Sequence, residues 1–336
     1  MSRLGDRLRA QIAREGPITF AAFMEAALYD ADDGFYARGP RIGRGGAFAT
    51  VPTLVPLFTR ALASDLRARW ESLGRPSPFT VCEVGPGDGS LAGGLATALA
   101  DLPLELVLCE RSAALAAAQR ARLPQARHVL LDELAPVDGA IVANEVHDAC
   151  PAHALRWPDE LLVTVDDEAH FVWGAAAPAP EPLRRIVHAS GAAPRAGLEL
   201  QVSPAQSELQ TRLAERVARG ALYVFDYGES GPERYLRRVP RLRTYLGGRA
   251  GGDPLAAPGS QDITVDVDFG ALRAAGEAAG LRTALDEPQP AWLRRHGALE
   301  QASTLPPESE QRLWLESLTR DDGAGGSFRV LVQERP

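Results

Sequence analysis

Lysine is absent from this chain of 336 residues, and asparagine occurs once, at Asn144. All 36 basic residues are therefore arginine, as expected if the coding composition disfavours both residue types. Schiff-base enzymes and Walker-type phosphate loops require the lysine amine, so the sequence excludes both classes. The one asparagine lies between an apolar run and the acids Glu145 and Asp148, which raises the question of why it remains there.

Cysteine is scarce as well. Cys82, Cys109 and Cys150 leave one thiol unpaired in any disulfide scheme, and their spacing matches no metal site. We therefore expect core thiols, no metal centre and a reducing, cytoplasmic compartment. Residues 1–16 lack the apolar core of a secretory signal and predict an amphipathic helix instead.

Long apolar runs and excess positive charge are also missing. No run approaches the roughly 20 residues that span a bilayer, so we expect no membrane partner. The net charge of −8 argues against binding nucleic acid through a basic surface, but it is compatible with a small-molecule pocket or a basic peptide partner.

Short apolar runs alternate with helical patterns through the middle of the chain. Four runs predict strands, and a fifth follows later: 79–84, 104–110, 127–131, 139–143 and 221–228. Continuous apolar runs are typical of strands buried on both faces of a parallel sheet. Strand–helix alternation with short links predicts a doubly wound α/β domain. We also expect a hairpin at 160–174 and final strands at 281–287 and 328–334.

The first strand runs into EVGPGDGS, residues 83–90. Gly85, Gly87 and Gly89 alternate, whereas the dinucleotide pattern would require glycine at Ser90. Glycine permits a sharp turn and a close approach of the backbone to a ligand. This spacing disfavours a nicotinamide dinucleotide, although a glycine triplet alone is a weak signal.

Acidic residues surround this loop. Glu83 precedes it and Asp88 lies within it, an arrangement that repels a pyrophosphate and suits a cationic ligand. Glu110 ends the second strand and can accept hydrogen bonds from both ribose hydroxyls. These features predict S-adenosylmethionine (SAM) as cofactor and S-adenosylhomocysteine as its product. The predicted cofactor-binding residues are Glu83, Gly85, Pro86, Gly87, Asp88, Gly89, Glu110, Arg111, Ser112 and Asp132.

Asp132 follows the third strand, and two roles for it stay open. It either accepts a hydrogen bond from the adenine amine or caps the next helix.

The chain resembles the MidA/NDUFAF7 family of class I SAM-dependent methyltransferases, whose mitochondrial members methylate arginine in a complex I subunit. The residues that carry this resemblance are PITFAAFMEAALYDADDGFY (17–36), EVGPGDGSLA (83–92), ANEVHDACP (143–151), FDYGE (225–229) and DPLAAPGSQDITVDVDF (253–269). It implies a Rossmann-like, seven-stranded class I methyltransferase sheet with N-terminal, hairpin and C-terminal additions. The chain would then divide into an N-terminal helical or lid segment (1–75), a SAM-binding core (76–228) with a hairpin insertion at about 152–203, and a C-terminal part (229–336).

The sequence departs from the family pattern at four positions. Ala47 and Thr53 stand where the family usually has acidic residues, and His147 and Cys150 replace larger apolar residues. Since the N-terminal segment helps to close the pocket in the family, the two lost acids bear on the choice of acceptor.

Asn144 and Glu145 end the fourth strand, beside the first strand in the usual class I order, so both should face the reacting methyl group. Asparagine both donates and accepts hydrogen bonds. If the chain turns helically after the strand, Glu145 and Asp148 lie on one face, where they can hold a guanidinium by paired hydrogen bonds. One of the two carboxylates can then accept its proton, and His147 is a second candidate base. Structural alternatives are a helix cap for Asn144, a first-turn acid for Asp148 and a buried or exposed histidine without catalytic role.

Two further pairs are weaker candidates for the substrate pocket. Asp226 and Tyr227 end the fifth strand at the same edge, and they either line the pocket or form a structural pair. Gln261 and Asp262 reach the pocket only if the loop 229–262 returns over that edge as a lid.

The resemblance implies methyl transfer to a nitrogen of a protein arginine. One alternative is a small-molecule N- or O-methyltransferase, which the changes at Ala47 and Thr53 support. Another is a SAM-binding assembly factor without turnover, while Ser90 and the acidic loop disfavour an oxidoreductase. A homodimer stays open.

Overall fold

The computed structural model describes residues 3–40, 56–236, 242–246 and 249–336. Ala47 and Thr53 lie outside the described residues. The helices are α1 (Arg3–Glu15), α2 (Phe20–Tyr29), α3 (Pro56–Ser72), α4 (Ser90–Ala98), α5 (Ala113–Arg122), α6 (Glu181–Ala189), α7 (Pro204–Arg216), α8 (Phe269–Ala278), α9 (Gln289–Arg295), α10 (Ala298–Thr304) and α11 (Glu310–Thr319).

The strands, like the helices, are numbered in chain order. They are β1 (Ile18–Thr19), β2 (Phe79–Val84), β3 (Leu104–Cys109), β4 (Arg127–Val129), β5 (Val137–Asn144), β6 (His153–Arg156), β7 (Asp159–Val165), β8 (Phe171–Pro178), β9 (Glu199–Val202), β10 (Val217–Glu229), β11 (Leu242–Leu246), β12 (Arg249–Ala250), β13 (Asp262–Val265), β14 (Val267–Asp268), β15 (Arg282–Pro288) and β16 (Phe328–Arg335).

The main sheet contains eight strands within the described residues, and seven of them follow one another in the order β15-β16-β10-β5-β2-β3-β4. The five from β10 to β4 are parallel, whereas β16 runs antiparallel to both of its neighbours. The eighth, β14, is only two residues long and pairs with the end of β10. The predicted count of seven therefore describes the continuous path, and the predicted adjacency of the first and fourth core strands is confirmed.

Both faces of this sheet are covered by helices, as a doubly wound fold requires. On one face α3, α4, α9 and α11 pack around Phe58, Phe225 and Trp292. On the other face α7 and α8 pack over β10 and β5 around Leu213 and Phe269. All six residues of β2 are buried, which explains its continuous apolar run. The three cysteines are free and buried, so the prediction of core thiols is confirmed.

A second sheet joins the N-terminal region to the insertion. Its strands are β1, β6, β7, β8 and β9, and β7 and β8 form the hairpin that the sequence predicted. Helix α1 buries Leu4, Leu8 and Ile12 against this sheet and α2, which confirms its predicted amphipathic character. Strand β1 comes from the N-terminal segment and pairs with β7, so the first helices are tied to the insertion.

The described parts of the predicted loop 229–262 contain strands rather than irregular chain alone. Strand β11 pairs with β12 and β13 in a small antiparallel sheet, and β13 lies against the turn that follows β5. The segment therefore does return to the predicted edge of the main sheet. Within the described ranges, no helix combines the length and the apolar character needed to cross a membrane.

Candidate active site

The tips of β2 and β5 form the centre of the site. Val84 pairs with Ala143, so Gly85 and Asn144 leave their strands side by side. A Cβ atom added to Gly85 would lie 3.1 Å from Cγ2 of Val146. The glycine turn (residues 85–89) and the asparagine turn (residues 144–150) are therefore in contact, as the sequence predicted.

The glycine turn depends on backbone angles that glycine adopts without strain. Gly85, Gly87 and Gly89 have φ values of 59°, 55° and 75°. Asp88 supports the turn, because its carboxylate accepts hydrogen bonds from the Ser90 amide at 2.9 Å and the Ser90 hydroxyl at 2.6 Å.

Asp88 also forms an ion pair of 3.0 Å with Arg122. Its carboxylate thus holds the start of α4 and a neighbouring helix. Both of its oxygens bind groups of the protein, so Asp88 supports the turn, and its predicted contact with the cofactor stays a prediction.

Glu83 fits the role predicted for it. The residue is 4% exposed, and its Oε2 atom has no hydrogen-bond partner in the part of the chain that the structure describes. Burial raises the pKa of Glu83 to about 8, while the Ala92 amide opposes the shift. A buried carboxyl oxygen without a partner, beside a glycine turn, fits a ligand that brings positive charge and hydrogen-bond donors.

Glu110 and Gln119 form the neighbouring part of the site at the tip of β3. The Ser112 amide donates to Glu110 Oε1 at 2.7 Å, and Gln119 Nε2 donates to Glu110 Oε2 at 3.0 Å. Gln119 Nε2 also donates to the Gly87 carbonyl oxygen at 2.8 Å, so this side chain ties Glu110 to the glycine turn.

Sequence reasoning missed Gln119. The available signal was its position in the stripe of α5 that also buries Leu115 and Ala116, where a polar side chain needs a specific partner. Its Oε1 atom is buried without a partner among the described residues, which leaves it available to a ligand.

Two of the other predicted cofactor residues, Ser112 and Arg111, contact the N-terminal segment. Ser112 caps α5 and donates its hydroxyl to the carbonyl of Tyr36 at 2.7 Å. Arg111 lies over the ring of Tyr29, with its guanidinium carbon 4.1 Å from the ring centroid.

Asp132 does not cap the next helix, and its contact with the adenine amine stays a prediction. Its side chain is 85% exposed and pairs with Arg212 at 2.6 Å. It lies inside the short 3₁₀ helix Leu131–Glu133, whose N-cap position is Leu130.

Glu145 is held from two sides. Asn144 Nδ2 donates to its Oε1, and the Tyr227 hydroxyl donates to its Oε2, both at 3.2 Å. Its φ is 53°, a left-handed conformation that costs a residue other than glycine roughly 1–3 kcal/mol and is typical of functional sites. Asn144 therefore orients the carboxylate beside it, which answers why an asparagine is retained there.

Three further carboxyl groups lie nearby: those of Asp148 and Asp226 are close to Glu145, and that of Asp262 is close to Asp148. Burial, followed by the charges of Asp226, Glu145 and Asp262, raises the pKa of Asp148. Burial and Glu145 raise the pKa of Asp226, and burial raises that of Asp262 to about 6. This acid cluster (Glu145, Asp148, Asp226 and Asp262) is unfavourable when fully ionised, so a cation stabilises it.

Arginine and aromatic side chains border the acid cluster. Arg243 pairs with Asp266 at 2.6 Å and lies 5.3 Å from the ring centroid of Tyr227, and its charge opposes the raised pKa of Asp148. The rings of Tyr29 and Tyr36 stack with centroids 5.5 Å apart, and the Tyr29 hydroxyl donates to the Ala149 carbonyl at 3.0 Å. The N-terminal segment thus packs directly on the asparagine turn.

His147 does not serve as the second base. The residue is fully buried, and burial lowers the pKa of His147 to about 4, with Gln210 of α7 opposing the shift. A neutral imidazole facing α7 cannot take a proton at neutral pH, so this prediction is corrected.

Gln261 is likewise a structural residue. Its Nε2 donates to the carbonyls of Asp253 and Ala256 at 2.9 and 2.7 Å, so the side chain shapes the loop that precedes β13. The carboxylate at the next position, Asp262, is the one that reaches the acid cluster.

Comparison with known proteins identifies the family. Residues 61–285 match the family model described as "Putative S-adenosyl-L-methionine-dependent methyltransferase". The chain belongs to this family. The protein is therefore a SAM-dependent methyltransferase, and the predicted family, fold class, enzyme class and cofactor are confirmed.

Two curated relatives have similar sequences over most of the chain. The mitochondrial protein arginine methyltransferase NDUFAF7 homolog of Drosophila melanogaster is 29% identical over 318 residues, which cover 82% of this chain and 70% of the relative. The NDUFAF7 protein of Xenopus tropicalis is 29% identical over 315 residues, which cover 80% of this chain and 70% of the relative.

A crystal structure shows the same architecture with a ligand. It is a superfamily member from Burkholderia thailandensis bound to S-adenosyl-homocysteine, with a TM-score of 0.87 and 31% identity over 99% of this chain and 92% of that one. A native crystal structure from the same organism has a TM-score of 0.85.

Proposed function

We propose that this methyltransferase acts on a guanidinium nitrogen of a protein arginine. The observation that carries the proposal is the acid cluster beside the tips of β5 and β10, in which Asp148, Asp226 and Asp262 are buried and have raised pKa values. Buried carboxyl groups that repel one another select a cationic ligand. Guanidinium is the cation whose planar donors match a pair of carboxylates.

The methyl donor side of the site is formed by different residues. Glu83, the glycine turn, Glu110 and Gln119 would hold SAM, since they supply a close backbone approach and buried acceptor atoms. When bound there, SAM supplies an electrophilic methyl group on a positively charged sulfur. Because the two turns are in contact, an acceptor nitrogen held by Glu145 and Asp148 on the asparagine turn lies next to the donor pocket.

The acceptor side does two things to the guanidinium. Glu145 and Asp148 hold its N–H groups and draw its positive charge away from the attacking nitrogen, which restores nucleophilicity. One of these carboxylates then accepts the proton that the nitrogen loses. Most of the acceleration comes from positioning, because a methyl transfer requires an in-line approach.

The curated relatives are named protein arginine methyltransferases, which supports this choice of acceptor. Their names also place them in mitochondria. A cytoplasmic location, a homodimer and the lack of nucleic-acid and membrane partners stay predictions for this chain.

The test is incubation with methyl-labelled SAM and a cell lysate, followed by separate counting of protein and small molecules. Label in protein that hydrolyses to methylarginine is the expected result. Label confined to small molecules would establish the small-molecule alternative. Tight SAM binding with label in neither fraction would establish an assembly factor without turnover. Lysate incubated with labelled SAM but without added protein is the control for the lysate's own enzymes.

A further inference from the structure

Asp226 has an unusual set of hydrogen bonds at the end of β10. It is 0% exposed, and its Oδ2 atom accepts from the amides of Val146, His147 and Asp148 at 3.2, 3.0 and 3.2 Å. Its Oδ1 atom accepts from the amide of Tyr227 at 2.8 Å. Three successive amides that surround one oxygen form an anion-binding nest, here filled by a side chain from the neighbouring strand.

The three amides belong to the residues that directly follow Glu145. The amide of Glu145 itself donates to the carbonyl of Phe225 at 2.8 Å, and Phe225 precedes Asp226. Four consecutive amides of the asparagine turn are thus bound by two consecutive residues of β10. Between these bonds Glu145 is kept at a φ of 53°, which a free turn would relax.

We propose that Asp226 is the positioning residue that fixes the backbone of Glu145 in the conformation required for methyl transfer. The inference rests on the proposed function of Glu145. Asp226 acts through backbone amides and does not bind the acceptor, because both of its oxygens already accept hydrogen bonds from the protein. Burial and Glu145 raise the pKa of Asp226, and the amides of Tyr227, Asp148 and His147 oppose that shift because they stabilise its carboxylate form. An asparagine would place an amino group against one set of amides.

The main test is a double-mutant cycle on the rate of methyl transfer to lysate protein at saturating SAM. Asp226→Asn should lower this rate about 10- to 100-fold, the scale of a misplaced catalytic group, and leave the KM for SAM within about twofold. In the Glu145→Gln background the same change should lower the remaining rate by less than about twofold, because the positioned group is already lost.

Asp268→Asn is the matched control. Asp268 is also buried and accepts from a backbone amide, that of Ala271 at 2.9 Å, and from the Tyr235 hydroxyl at 2.7 Å. Its substitution should lower thermal stability without coupling to Glu145. Equal, additive losses for Asp226→Asn in both backgrounds would overturn the proposal and leave Asp226 with a general structural role.

A second measurement requires neither activity nor a folded variant. In the wild-type protein, hydrogen exchange at the amides of Val146, His147 and Asp148 should be as slow as at the interior of β10. Exchange as fast as in exposed turns would show that Asp226 does not hold them, and would overturn the proposal. Slow exchange in a protein that transfers no methyl group would instead locate the failure in the proposed function.

Discussion

Tyr36 donates its hydroxyl proton to Asp262, 226 positions further along the chain, with the two oxygens 3.1 Å apart. Tyr36 lies in the N-terminal segment, and Asp262 begins β13 beside the asparagine turn. Burial raises the pKa of Asp262 to about 6, and the Tyr36 hydroxyl opposes that shift because it stabilises the carboxylate. One hydrogen bond therefore joins two additions to the core beside the acceptor site.

Tyr36→Phe should move the acidic limb of the pH–rate profile. Ionised Asp262 is present above a pH of about 6 and is lost as the pH falls through that value. Without the hydroxyl donor the pKa rises further, so activity should fall at a higher pH. The acceptor KM should rise about 2- to 10-fold, the worth of one hydrogen bond.

Initial rates with labelled SAM between pH 5 and 9 measure this shift. Tyr235→Phe is the control, since it removes a similar hydroxyl–carboxylate bond of 2.7 Å to Asp268 away from the site. An acidic limb at the same pH in Tyr36→Phe and wild type would contradict the role of Asp262.

SAM binding should release a proton from Glu83 at pH 7. Burial raises the pKa of this carboxyl to about 8, so it is largely protonated without ligand, and the positive charge of SAM favours the carboxylate. Affinity should therefore increase as the pH rises towards 8. Calorimetry at pH 7 in two buffers of different ionisation enthalpy measures the number of protons released when SAM binds.

Glu83→Gln should abolish this proton release and weaken SAM binding. Glu105→Gln on the neighbouring strand β3 is the control, because Glu105 is paired with Arg127 at 3.3 Å and lies away from the glycine turn. Proton release that persists in Glu83→Gln would assign the titration to another group.

Glu145→Gln should separate binding from chemistry. SAM affinity should stay within about twofold, while methyl transfer falls at least about 100-fold, the scale of a positioned acid–base group. Tyr227→Phe removes only one hydrogen bond to Glu145 and should cause a smaller loss, about 2- to 10-fold. Calorimetry and single-turnover rates measure the two effects, and full activity in Glu145→Gln would remove this residue from the mechanism.

Asp148→Asn should stabilise the free protein at pH 8 while lowering its activity. Because the folded-state pKa of Asp148 is raised, its contribution to stability is fully present below the unfolded value near 3.8 and is lost as the pH rises through the folded value. The variant avoids this loss, so its melting temperature should exceed that of wild type by a few degrees at pH 8 and by less at pH 4. Thermal melts of both proteins at both pH values measure this difference. A higher melting temperature of the variant at pH 4 only would contradict a raised pKa of Asp148.

Much of the core was predictable because its signals are local. The apolar runs of β2, β3 and β5 and the glycine turn are recognisable from residues that lie within ten positions of one another. Helices α9 to α11 were not predicted, since they contain only 7, 7 and 10 residues and the first carries proline near its start. Such short helices are stabilised by packing on the sheet rather than by their own propensity.

The sequence by itself determined which chemistry was available: a glycine turn with a preceding acid, a second acid for ribose, and a lone asparagine beside a glutamate. The tertiary structure alone decided which of these groups face a ligand. Asp226 accepts hydrogen bonds from amides about 80 positions away, Asp88 forms an ion pair with Arg122, and His147 is buried against α7. The partner of a side chain depends on how distant segments meet in space, and hydrogen bonds and burial then set its charge. A short-range sequence pattern predicts neither the partner nor the charge.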